Sequence, residues 1–463
     1  MKIYNTLTKQ LELLPSPAEQ KKLNMFVCGP TVYDYIHIGN ARTFVFFDVV
    51  AKYLKHKGYE VNYIQNITDI DNKIIERAQK EDVDSLEYAK KYTEIFKQDM
   101  LALGVTSPEY KNATDHIPEV IKQVQTLLDK DNAYLIENDG IYFDLSTFPD
   151  YGKLSGRTAS MADDAVSRID DSDKKKNKGD FAIWKFKQHN DPSWSAPFGD
   201  GRPGWHIEDT AITEKYFGPQ YDIHGGGQDL IFPHHEAEIA QQESASGLKP
   251  FVKYWMHSGF LINKESKMSK SLGNFTTLHE ALKKYGPKNL RLYLLSAHYR
   301  SPLALDENGL TSAIVSNAGV YAFEERLELV RKSKKTSDDG ANKIIDEAVQ
   351  GFEDSLDNDF NTPKALASFF TSINKFFMLF NKGGLGLNDV LKIEEYLKTV
   401  NNILGIINQP KIKIPEEIVK KVEEREVVRK NKEWVKSDEL RQEIENLGFD
   451  IDDTPYGPLV SEK

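Results

Sequence analysis

The sequence predicts an α/β nucleotide-binding domain, followed by an all-α helical bundle and a small C-terminal unit. An apolar strand at 25–28, a helix at 40–57 and a second strand at 60–66 form a βαβ pattern. Beyond Tyr299 the apolar residues recur at helical spacing, over 306–333, 341–356, 363–381 and 388–405. Pro410 and Pro415 mark a linker. We therefore expect domains at 1–300, 301–409 and 410–463.

The remaining elements follow from the same patterns. Parallel strands should bring Cys28 and Thr68 to one edge of the sheet, where ligands bind in open α/β domains. Helical patterns at 72–103 and 116–131 and a strand pair near 133–145 indicate an insertion at about 105–180. A strand at 220–224 leads through three glycines into a helix that carries His234 and Glu238. The last unit is predicted to be helical.

Composition excludes several classes of protein. The chain has 463 residues, of which 40% are hydrophobic and 28% charged, as is ordinary for a globular protein. No apolar run approaches the roughly 18 residues of a membrane span. The start of the chain lacks the pattern of a signal peptide, and a single cysteine, Cys28, excludes an internal disulfide. We expect a cytoplasmic protein without a membrane partner. Because the net charge is −11, any nucleic-acid contact must come from local clusters of basic residues.

The stretch from Met25 to Arg42 joins the lone thiol to a phosphate-facing turn. A strand ends at Cys28, a loop containing Gly29 and Pro30 follows, and His37-Ile38-Gly39-Asn40 opens a helix. Such a helix start offers free backbone N–H groups and a positive dipole end to phosphates. A basic segment, Lys267 to Ser271, lies far downstream; alone, such a segment is most often a solvated loop.

HIGN at 37–40 and KMSKS at 267–271 together resemble the HIGH and KMSKS signatures of class I aminoacyl-tRNA synthetases. The full string MFVCGPTVYDYIHIGNAR resembles the cysteinyl-tRNA synthetases within that family, and the resemblance extends over essentially the whole chain. It implies a Rossmann-like catalytic domain followed by a helical bundle and an anticodon-binding unit. It also implies the reaction: L-cysteine and ATP, with Mg²⁺, form cysteinyl-adenylate, and the acyl group passes to the 3′-terminal adenosine of tRNA(Cys). We expect a monomer.

The resemblance assigns roles in ATP binding to the two signatures and to the loop before the first. The residues are Gly29, Pro30, His37, Gly39, Asn40, Lys267, Met268, Ser269, Lys270 and Ser271. Adenylate formation requires charge neutralisation at phosphate, so the implied catalytic residues are His37, Asn40, Lys267 and Lys270. The family motif ends in His where this chain has Asn40, whose amide still donates, and we expect function to persist.

A metal site is the second implication. His234 and Glu238 are four residues apart and project from one face of a helix, so with Cys28 they could supply N, O and S donors to Zn²⁺. Spacing alone is weak, because such pairs are usually surface pairs and a lone cysteine after a strand is usually core. The strings PHHEAEIA and GWHIE, followed by Asp209, resemble the family's metal segments. The resemblance implies one Zn²⁺ held by Cys28, Asp209, His234 and Glu238.

Asp209 stands where the family has a second cysteine ligand, and two interpretations remain open. In the first, zinc is retained, because aspartate is an accepted zinc ligand with the same formal charge as a thiolate. In the second, the site is weak or empty, and pocket shape and polar contacts select cysteine.

Further residues match the family's amino-acid pocket and RNA-binding tail. The implied amino-acid-binding residues are Cys28, Thr68, Trp205 and Asp229, and the implied tRNA-binding residues are Trp434, Lys436 and Arg441. The alternative for Trp434 is that it anchors the core of the small C-terminal unit. The segment 357–363, DNDFNTP, resembles a family signature in the bundle, where we expect capping and packing.

Two rival functions remain. A paralogous ligase attaches cysteine to an amino-sugar acceptor, but it lacks the C-terminal RNA-binding unit that this sequence predicts. An inactive nucleotide-binding homologue that serves as an RNA-binding or regulatory module is disfavoured by His37, Lys267 and Lys270.

Overall fold

The computed structural model describes residues 1–157, 173–188, 191–263, 266–267, 276–336, 340–407 and 414–463. Contacts divide the chain into two units. The first contains Met1–Leu310 and Leu356–Thr362, and the second contains Thr311–Ser355 and Pro363–Lys463. The three-domain division at 300 and 409 stays a prediction.

The first unit is built on strands and eight described helices. Its strands are β1 (Lys2–Asn5), β2 (Gln10–Leu13), β3 (Lys22–Val27), β4 (Glu60–Ile67), β5 (Glu109–Asn112), β6 (Ala133–Ile136), β7 (Gly140–Phe143), β8 (Phe181–Phe186), β9 (Gly201–Pro203), β10 (Tyr221–Gly227), β11 (Val252–Ser258), β12 (Leu261–Asn263), β13 (Ser266–Lys267) and β14 (Leu303–Leu305). Its helices are α1 (Ile38–His56), α2 (Asn72–Glu81), α3 (Ser85–Ala102), α4 (Ile117–Asp129), α5 (Ile207–Phe217), α6 (Glu236–Ser246), α7 (Leu278–Tyr285) and α8 (Pro287–Leu294).

A five-stranded parallel sheet in the order β11-β10-β3-β4-β5 forms the centre of this unit. The parallel pairing of β3 and β4 around α1 confirms the predicted βαβ unit. Strand β4 pairs with one edge of β3, and β10 pairs with the other edge. The order of the strands in the sheet therefore changes direction between β3 and β10. In open α/β sheets, ligands bind at the carboxyl ends of the strands at such a point.

Three glycines follow the predicted strand at 220–224, and packing explains the first of them, Gly225. A Cβ atom there would lie 2.3 Å from the Phe47 ring of α1, so only glycine lets the helix approach the sheet this closely. Helix α1 is buried on nearly every side, which explains its mostly apolar sequence.

Two predicted elements differ in the structure. The helical pattern at 72–103 is two helices, because Asp82 adopts a left-handed conformation with φ 55° and Asp84 caps α3 by accepting from the backbone N–H groups of Leu86 and Glu87. The antiparallel sheet β6-β7-β8-β9 runs to Pro203, beyond the predicted end of the insertion near 180.

The second unit contains most of α9 (Glu307–Ser333), which begins at the end of the first unit, and the elements that follow. These are α10 (Asn342–Asp357), α11 (Thr362–Asn381), α12 (Leu387–Leu404), α13 (Glu416–Lys430), α14 (Trp434–Asn446), β15 (Phe449–Thr454) and β16 (Gly457–Glu462). The purely helical C-terminal unit predicted from the sequence is wrong, because β15 and β16 form an antiparallel hairpin. In the described part of the chain, no helix is both long and apolar enough to cross a membrane.

The signature-like segment at 357–363 packs mainly with the first unit. Asp359 is buried, with φ 60°, and its carboxylate accepts hydrogen bonds from the Tyr4 backbone N–H, the Tyr299 hydroxyl and the Arg300 guanidinium at 2.8–2.9 Å. The expected packing role is confirmed, although the packing is within the first unit, and the expected capping role stays a prediction.

Candidate active site

A cavity of about 470 Å³ opens at the carboxyl ends of the parallel strands. The sequence-predicted residues that line it are Cys28, Gly29, Pro30, His37, Gly39, Asn40, Thr68, Trp205, Asp209, Asp229 and His234. The structure thus brings residues of the HIGN signature, the implied amino-acid pocket and the implied metal set into one site.

One wall of the cavity is the start of α1. His37 is the N-cap residue of this helix, and its Nδ1 accepts a hydrogen bond from the Gly39 backbone N–H at 2.7 Å. This bond fixes the imidazole at the helix N-terminus, where the positive end of the helix dipole lies. A phosphate in the cavity would therefore meet both the helix start and the side chain of Asn40.

The Gly29 loop passes close to the end of β4. A Cβ atom on Gly29 would lie 1.7 Å from the Asn66 carbonyl oxygen, so this position admits only glycine. The second signature is described only in part. Ser266 and Lys267 form β13, which pairs with β12, whereas Met268, Ser269, Lys270 and Ser271 lie outside the described residues.

The four predicted metal ligands come together from four places in the sequence. Cys28 follows β3, Asp209 lies in the first turn of α5, His234 just precedes α6 and Glu238 lies in the first turn of α6. The Nε2 atom of His234 is 3.0 Å from Asp209 Oδ2 and 2.8 Å from Glu238 Oε1. One potential ligand atom from each of the four residues falls within 4.8 Å of the others, and all four residues are buried.

Burial and charge act strongly on this cluster. Burial raises the pKa of the Cys28 thiol well above its ordinary range, and the carboxylates of Glu238 and Asp209 raise it further. Burial also raises the pKa of Glu238, to about 8, despite the opposing effect of His234. For His234, burial lowers the pKa, but the two carboxylates outweigh it and raise that pKa to about 10. A cation among these groups would stabilise the thiolate and both carboxylates.

The donor set fits such a cation on a second ground. Asp209 Oδ1 and Glu238 Oε2 are buried and accept no hydrogen bond from the described residues. Buried carboxylate oxygens that accept no hydrogen bond are costly, and a metal ion would satisfy them.

Sequence reasoning missed three histidines beside the cluster. His206 Nδ1 lies 2.7 Å from His234 Nδ1, on the side of the ring opposite the two carboxylates. His224 Nε2 and His235 Nε2 lie 3.3 and 3.2 Å from the Cys28 sulfur. The available signal was local: each of these histidines occurs in a segment already singled out, in GWHIE, DIHGGG or PHHEAE.

Glu208 was also missed, although it neighbours Asp209. Its carboxylate accepts a hydrogen bond from the Thr68 hydroxyl, and both residues are buried. Burial raises the pKa of Glu208 well above its ordinary value, and the charge of Asp209 raises it further. The orientation of Thr68 in the cavity wall therefore depends on Glu208.

The other implied pocket residues occupy distinct walls. The Trp205 ring stacks on His234 with centroids 4.7 Å apart, and 42% of the residue remains exposed. Asp229 is exposed in a short 3₁₀ turn that follows β10. A Cβ atom on Gly227 would lie 2.4 Å from Asp229 Oδ1, so this glycine allows the carboxylate its position.

The implied RNA-binding residues lie on α14 of the second unit. Trp434 is 57% exposed, and the core of this region consists of Ile418, Val422, Ile444, Phe449 and Ile451. The alternative that Trp434 anchors that core is therefore wrong. Lys436 pairs with Glu424 at 3.3 Å, and Arg441 pairs with Glu445 at 3.2 Å.

Comparisons with known proteins match this architecture. A family described as the tRNA synthetases class I (C) catalytic domain matches residues 14–315, and the DALR domain family matches residues 351–408. The chain is 42% identical to a cysteine–tRNA ligase of Caldicellulosiruptor saccharolyticus, over 99% of both chains. It is 41% identical to one of Thermococcus gammatolerans, over 99% of this chain and 98% of that protein.

Solved structures agree on the fold. Mycobacterium tuberculosis methionyl-tRNA synthetase in complex with methionyl-adenylate is similar with a TM-score of 0.62 and 15% identity, covering 84% of this chain and 90% of that one. The leucyl enzyme of Agrobacterium radiobacter, in a complex with tRNA, is similar with a TM-score of 0.60 and 12% identity, covering 83% of this chain and 84% of that one.

Proposed function

The chain belongs to the cysteine–tRNA ligases of the class I aminoacyl-tRNA synthetases, and from this premise we propose which of its residues perform each part of the reaction. The family's reaction is the ATP-dependent joining of cysteine to tRNA. The observation that carries the assignment is the convergence of Cys28, Asp209 and His234 on the same cavity as the N-terminus of α1. That arrangement supports a thiol-selective metal site next to a phosphate-binding helix N-terminus.

Cys28, Asp209, His234 and Glu238 are the residues that would hold Zn²⁺, one ion per chain. The set offers one sulfur, one nitrogen and two oxygen donors, all of types that zinc accepts. When bound, Zn²⁺ supplies a Lewis acid that favours a thiolate over the hydroxyl of serine. Asp209 thus takes the position of the family's second cysteine and keeps its negative charge.

The walls of the cavity position the amino acid. Asp229, exposed at the rim, accepts the substrate ammonium group. Trp205 covers His234 and limits the length of side chain that can enter. Thr68 donates to Glu208 and accepts from the Asn66 side-chain amide, so its hydroxyl keeps one lone pair for the substrate.

The helix start and the second signature act on ATP, bound with Mg²⁺. The loop of Gly29 and Pro30 lets backbone approach the nucleotide, and the N-terminus of α1 receives phosphate with help from His37 and Asn40. Lys267, Met268, Ser269, Lys270 and Ser271 form the second contact, in which Lys267 and Lys270 neutralise the charge that moves as pyrophosphate leaves. Catalysis of this step consists mainly of positioning and charge stabilisation.

The second unit reads tRNA(Cys). Trp434 stacks on a base from its exposed position, and Lys436 and Arg441 contact phosphates or base edges. The monomeric state and the cytoplasmic location stay predictions.

ATP–pyrophosphate exchange with purified full-length protein tests the proposal. Cysteine should support exchange strongly and serine weakly, and tRNA(Cys) should then be charged with cysteine. Exchange with cysteine but no charging of tRNA, together with transfer to an amine acceptor, would favour the paralogous ligase. Absence of exchange with any amino acid would favour the inactive homologue.

A further inference from the structure

A buried arginine just after the HIGN signature bonds only to backbone carbonyls. Arg42 lies in the first turns of α1 and is 2% exposed. Its Nη1 donates to the carbonyls of Gly259 and Phe260, at 2.8 and 2.9 Å. Its Nη2 donates to the carbonyls of His298 and Ser301, at 3.1 and 2.6 Å. Among the residues that the structure describes, no carboxylate pairs with this guanidinium.

The four carbonyls belong to the segments that lead into two paired strands. Gly259 and Phe260 come directly before β12, and His298 and Ser301 come before β14, which pairs with β12 in parallel. Buried carbonyl oxygens require donors, and here four of them converge on one side chain. A guanidinium suits them, because it presents five N–H donors in a rigid planar fork, whereas a lysine ammonium offers three donors from a single point.

The small sheet that these strands form contains the start of the second signature. Strand β12 also pairs with β13, which includes Lys267. Gly259, Phe260 and Leu261 line the cavity that holds the first signature. Arg42 therefore links the helix that opens with the first signature to the sheet in which the second one begins, and the link lies at the cavity wall.

The chain returns to the start of α1 after the second signature. The Ile38 backbone N–H donates to the Thr276 carbonyl at 3.2 Å, and the Leu278 backbone N–H donates to the Ile36 carbonyl at 2.9 Å. Backbone bonds thus tie the chain to α1 after the signature. Before the signature, the Arg42 side chain makes the corresponding connection.

Gly259 permits the close approach on which the arginine contacts depend. A Cβ atom at this position would lie 2.7 Å from the Ser301 carbonyl oxygen and 2.9 Å from the Arg300 carbonyl oxygen. Only glycine lets the two segments come close enough for their carbonyls to share one guanidinium.

The charge of Arg42 is not cancelled by its partners. Burial lowers the pKa of its guanidinium to about 10, so the group stays protonated at neutral pH. Carbonyl dipoles solvate the cation but carry no net charge. A positive potential therefore persists behind the cavity wall, where it favours the anionic phosphates of ATP.

We propose that Arg42 is a positioning residue for cysteinyl-adenylate formation, which holds the sheet containing Lys267 in register with the start of α1. The inference rests on the proposed function, in which both signatures act on the same ATP. Arg42 acts through the Gly259 and Phe260 carbonyls and the strand that follows them. The residues proposed to bind cysteine lie on other elements, so loss of Arg42 should disturb the chemical step and spare cysteine binding.

Single-turnover formation of cysteinyl-adenylate by the full-length protein, at saturating ATP and cysteine, tests the proposal. Arg42→Lys keeps the positive charge but loses the fork. We expect the rate to fall roughly ten- to 100-fold, because a misplacement of about 1 Å at a reacting centre can cost about 100-fold. The Michaelis constant for cysteine should stay within about twofold of the native value.

Arg291→Lys is the matched control. Arg291 is a second fully buried arginine, whose guanidinium bonds to the Asp48 carboxylate of α1, and it does not line the cavity. This variant should lose stability in thermal unfolding but keep its rate of adenylate formation within about twofold. An equal loss of rate in Arg291→Lys and Arg42→Lys would show that Arg42 is merely structural and would overturn the proposal.

Gly259→Ala tests the same contact from the opposite side and leaves Arg42 unchanged, so it also serves if Arg42→Lys fails to fold. It should show the same reduced rate with an unchanged Michaelis constant for cysteine. In the double variant the combined loss should be smaller than the product of the single losses, because both changes displace the same strand. A native rate in either folded single variant would overturn the proposal. Absence of exchange activity in the native chain would instead refute the proposed function on which it rests.

Discussion

The side chains of His234 and Glu238, four residues apart, are in contact, with His234 Nε2 2.8 Å from Glu238 Oε1. The same imidazole nitrogen also meets Asp209 at 3.0 Å, so one histidine faces two buried carboxylates. The other ring nitrogen of His234, Nδ1, lies 2.7 Å from His206 Nδ1, and this contact fixes the orientation of the ring. Metal-binding histidines typically have one ring nitrogen free for the metal and the other held by a neighbouring group, as His206 holds His234 here. The first two predictions concern this proposed metal site.

Cys28→Ser should reduce bound zinc and cysteine activation together. Cys28 supplies the only thiolate of the proposed ligand set, and a serine hydroxyl is a poorer and less acidic ligand, so we expect each to fall by at least roughly tenfold. Metal analysis and ATP–pyrophosphate exchange measure the two effects. The volume change is small, so thermal unfolding of the metal-free proteins should be similar. A variant that activates cysteine like the native chain would refute the metal role.

Asp209→Cys should tighten zinc binding, because a second thiolate is softer than the carboxylate it replaces. Asp209→Ala should weaken discrimination against serine in exchange assays, since the metal site loses a proposed ligand that lines the cavity. Equal selectivity for cysteine over serine in both variants and in the native chain would remove Asp209 from the site.

Lys270→Ala should depress the rate of activation more than it weakens the binding of cysteine. The proposed contact is to phosphate charge that develops in the transition state, and its loss could cost on the order of 3 kcal/mol. Pre-steady-state adenylate formation separates the two quantities. A rise in the Michaelis constant for cysteine with turnover preserved would argue against this role.

Trp434→Ala should weaken tRNA binding and leave cysteine activation intact. Stacking of a base on an aromatic side chain is worth about 1–3 kcal/mol, which predicts a roughly five- to 150-fold rise in the Michaelis constant for tRNA(Cys). Val435→Ala is a matched control, because Val435 is its neighbour on α14 and is 76% exposed. Similar charging kinetics in the two variants would show that Trp434 is not an RNA contact.

Truncation before residue 411 is a less selective test of the same idea. The Tyr456 hydroxyl bonds to the backbone of Leu385, and its ring packs on Phe380, so the tail also supports the bundle of the second unit. We expect the truncated chain to retain exchange activity and lose tRNA charging, with lowered stability of the second unit. Thermal unfolding of the truncated protein must accompany the assay.

Asp359→Ala should destabilise the first unit by about 3 kcal/mol or more. The change strands the buried Tyr299 hydroxyl and removes a charged partner of Arg300, and the loss of one member of such a buried network is expensive. Denaturant unfolding measures the effect. Asp354→Ala, at an exposed position on α10, is the control and should change stability by less than about 0.5 kcal/mol.

The sequence by itself determined the βαβ unit, the helices of the second unit and the association of Cys28, Asp209, His234 and Glu238. Local signals carried these conclusions: apolar periodicity for the elements, an i, i+4 pair for His234 and Glu238, and matched strings for the rest. The break between α2 and α3 was not predicted, because Asp82 adopts the left-handed conformation there. Aspartate tolerates this conformation, but it signals such a break in a sequence less clearly than glycine does. The C-terminal hairpin was not predicted, because the two residues of its turn, Pro455 and Tyr456, are not a typical hairpin dipeptide.

Only the tertiary structure decided which other groups surround the cluster. His224 lies on β10 and His235 at the start of α6, and both reach the Cys28 sulfur because β10 pairs with β3 across the point where strand order reverses. Glu208 reaches Thr68 across 140 residues of sequence. Such contacts depend on strand pairing and helix docking over long separations, which periodicity within a segment cannot encode. The exposure of Trp434 likewise depends on the tertiary structure, because other apolar side chains fill the small core.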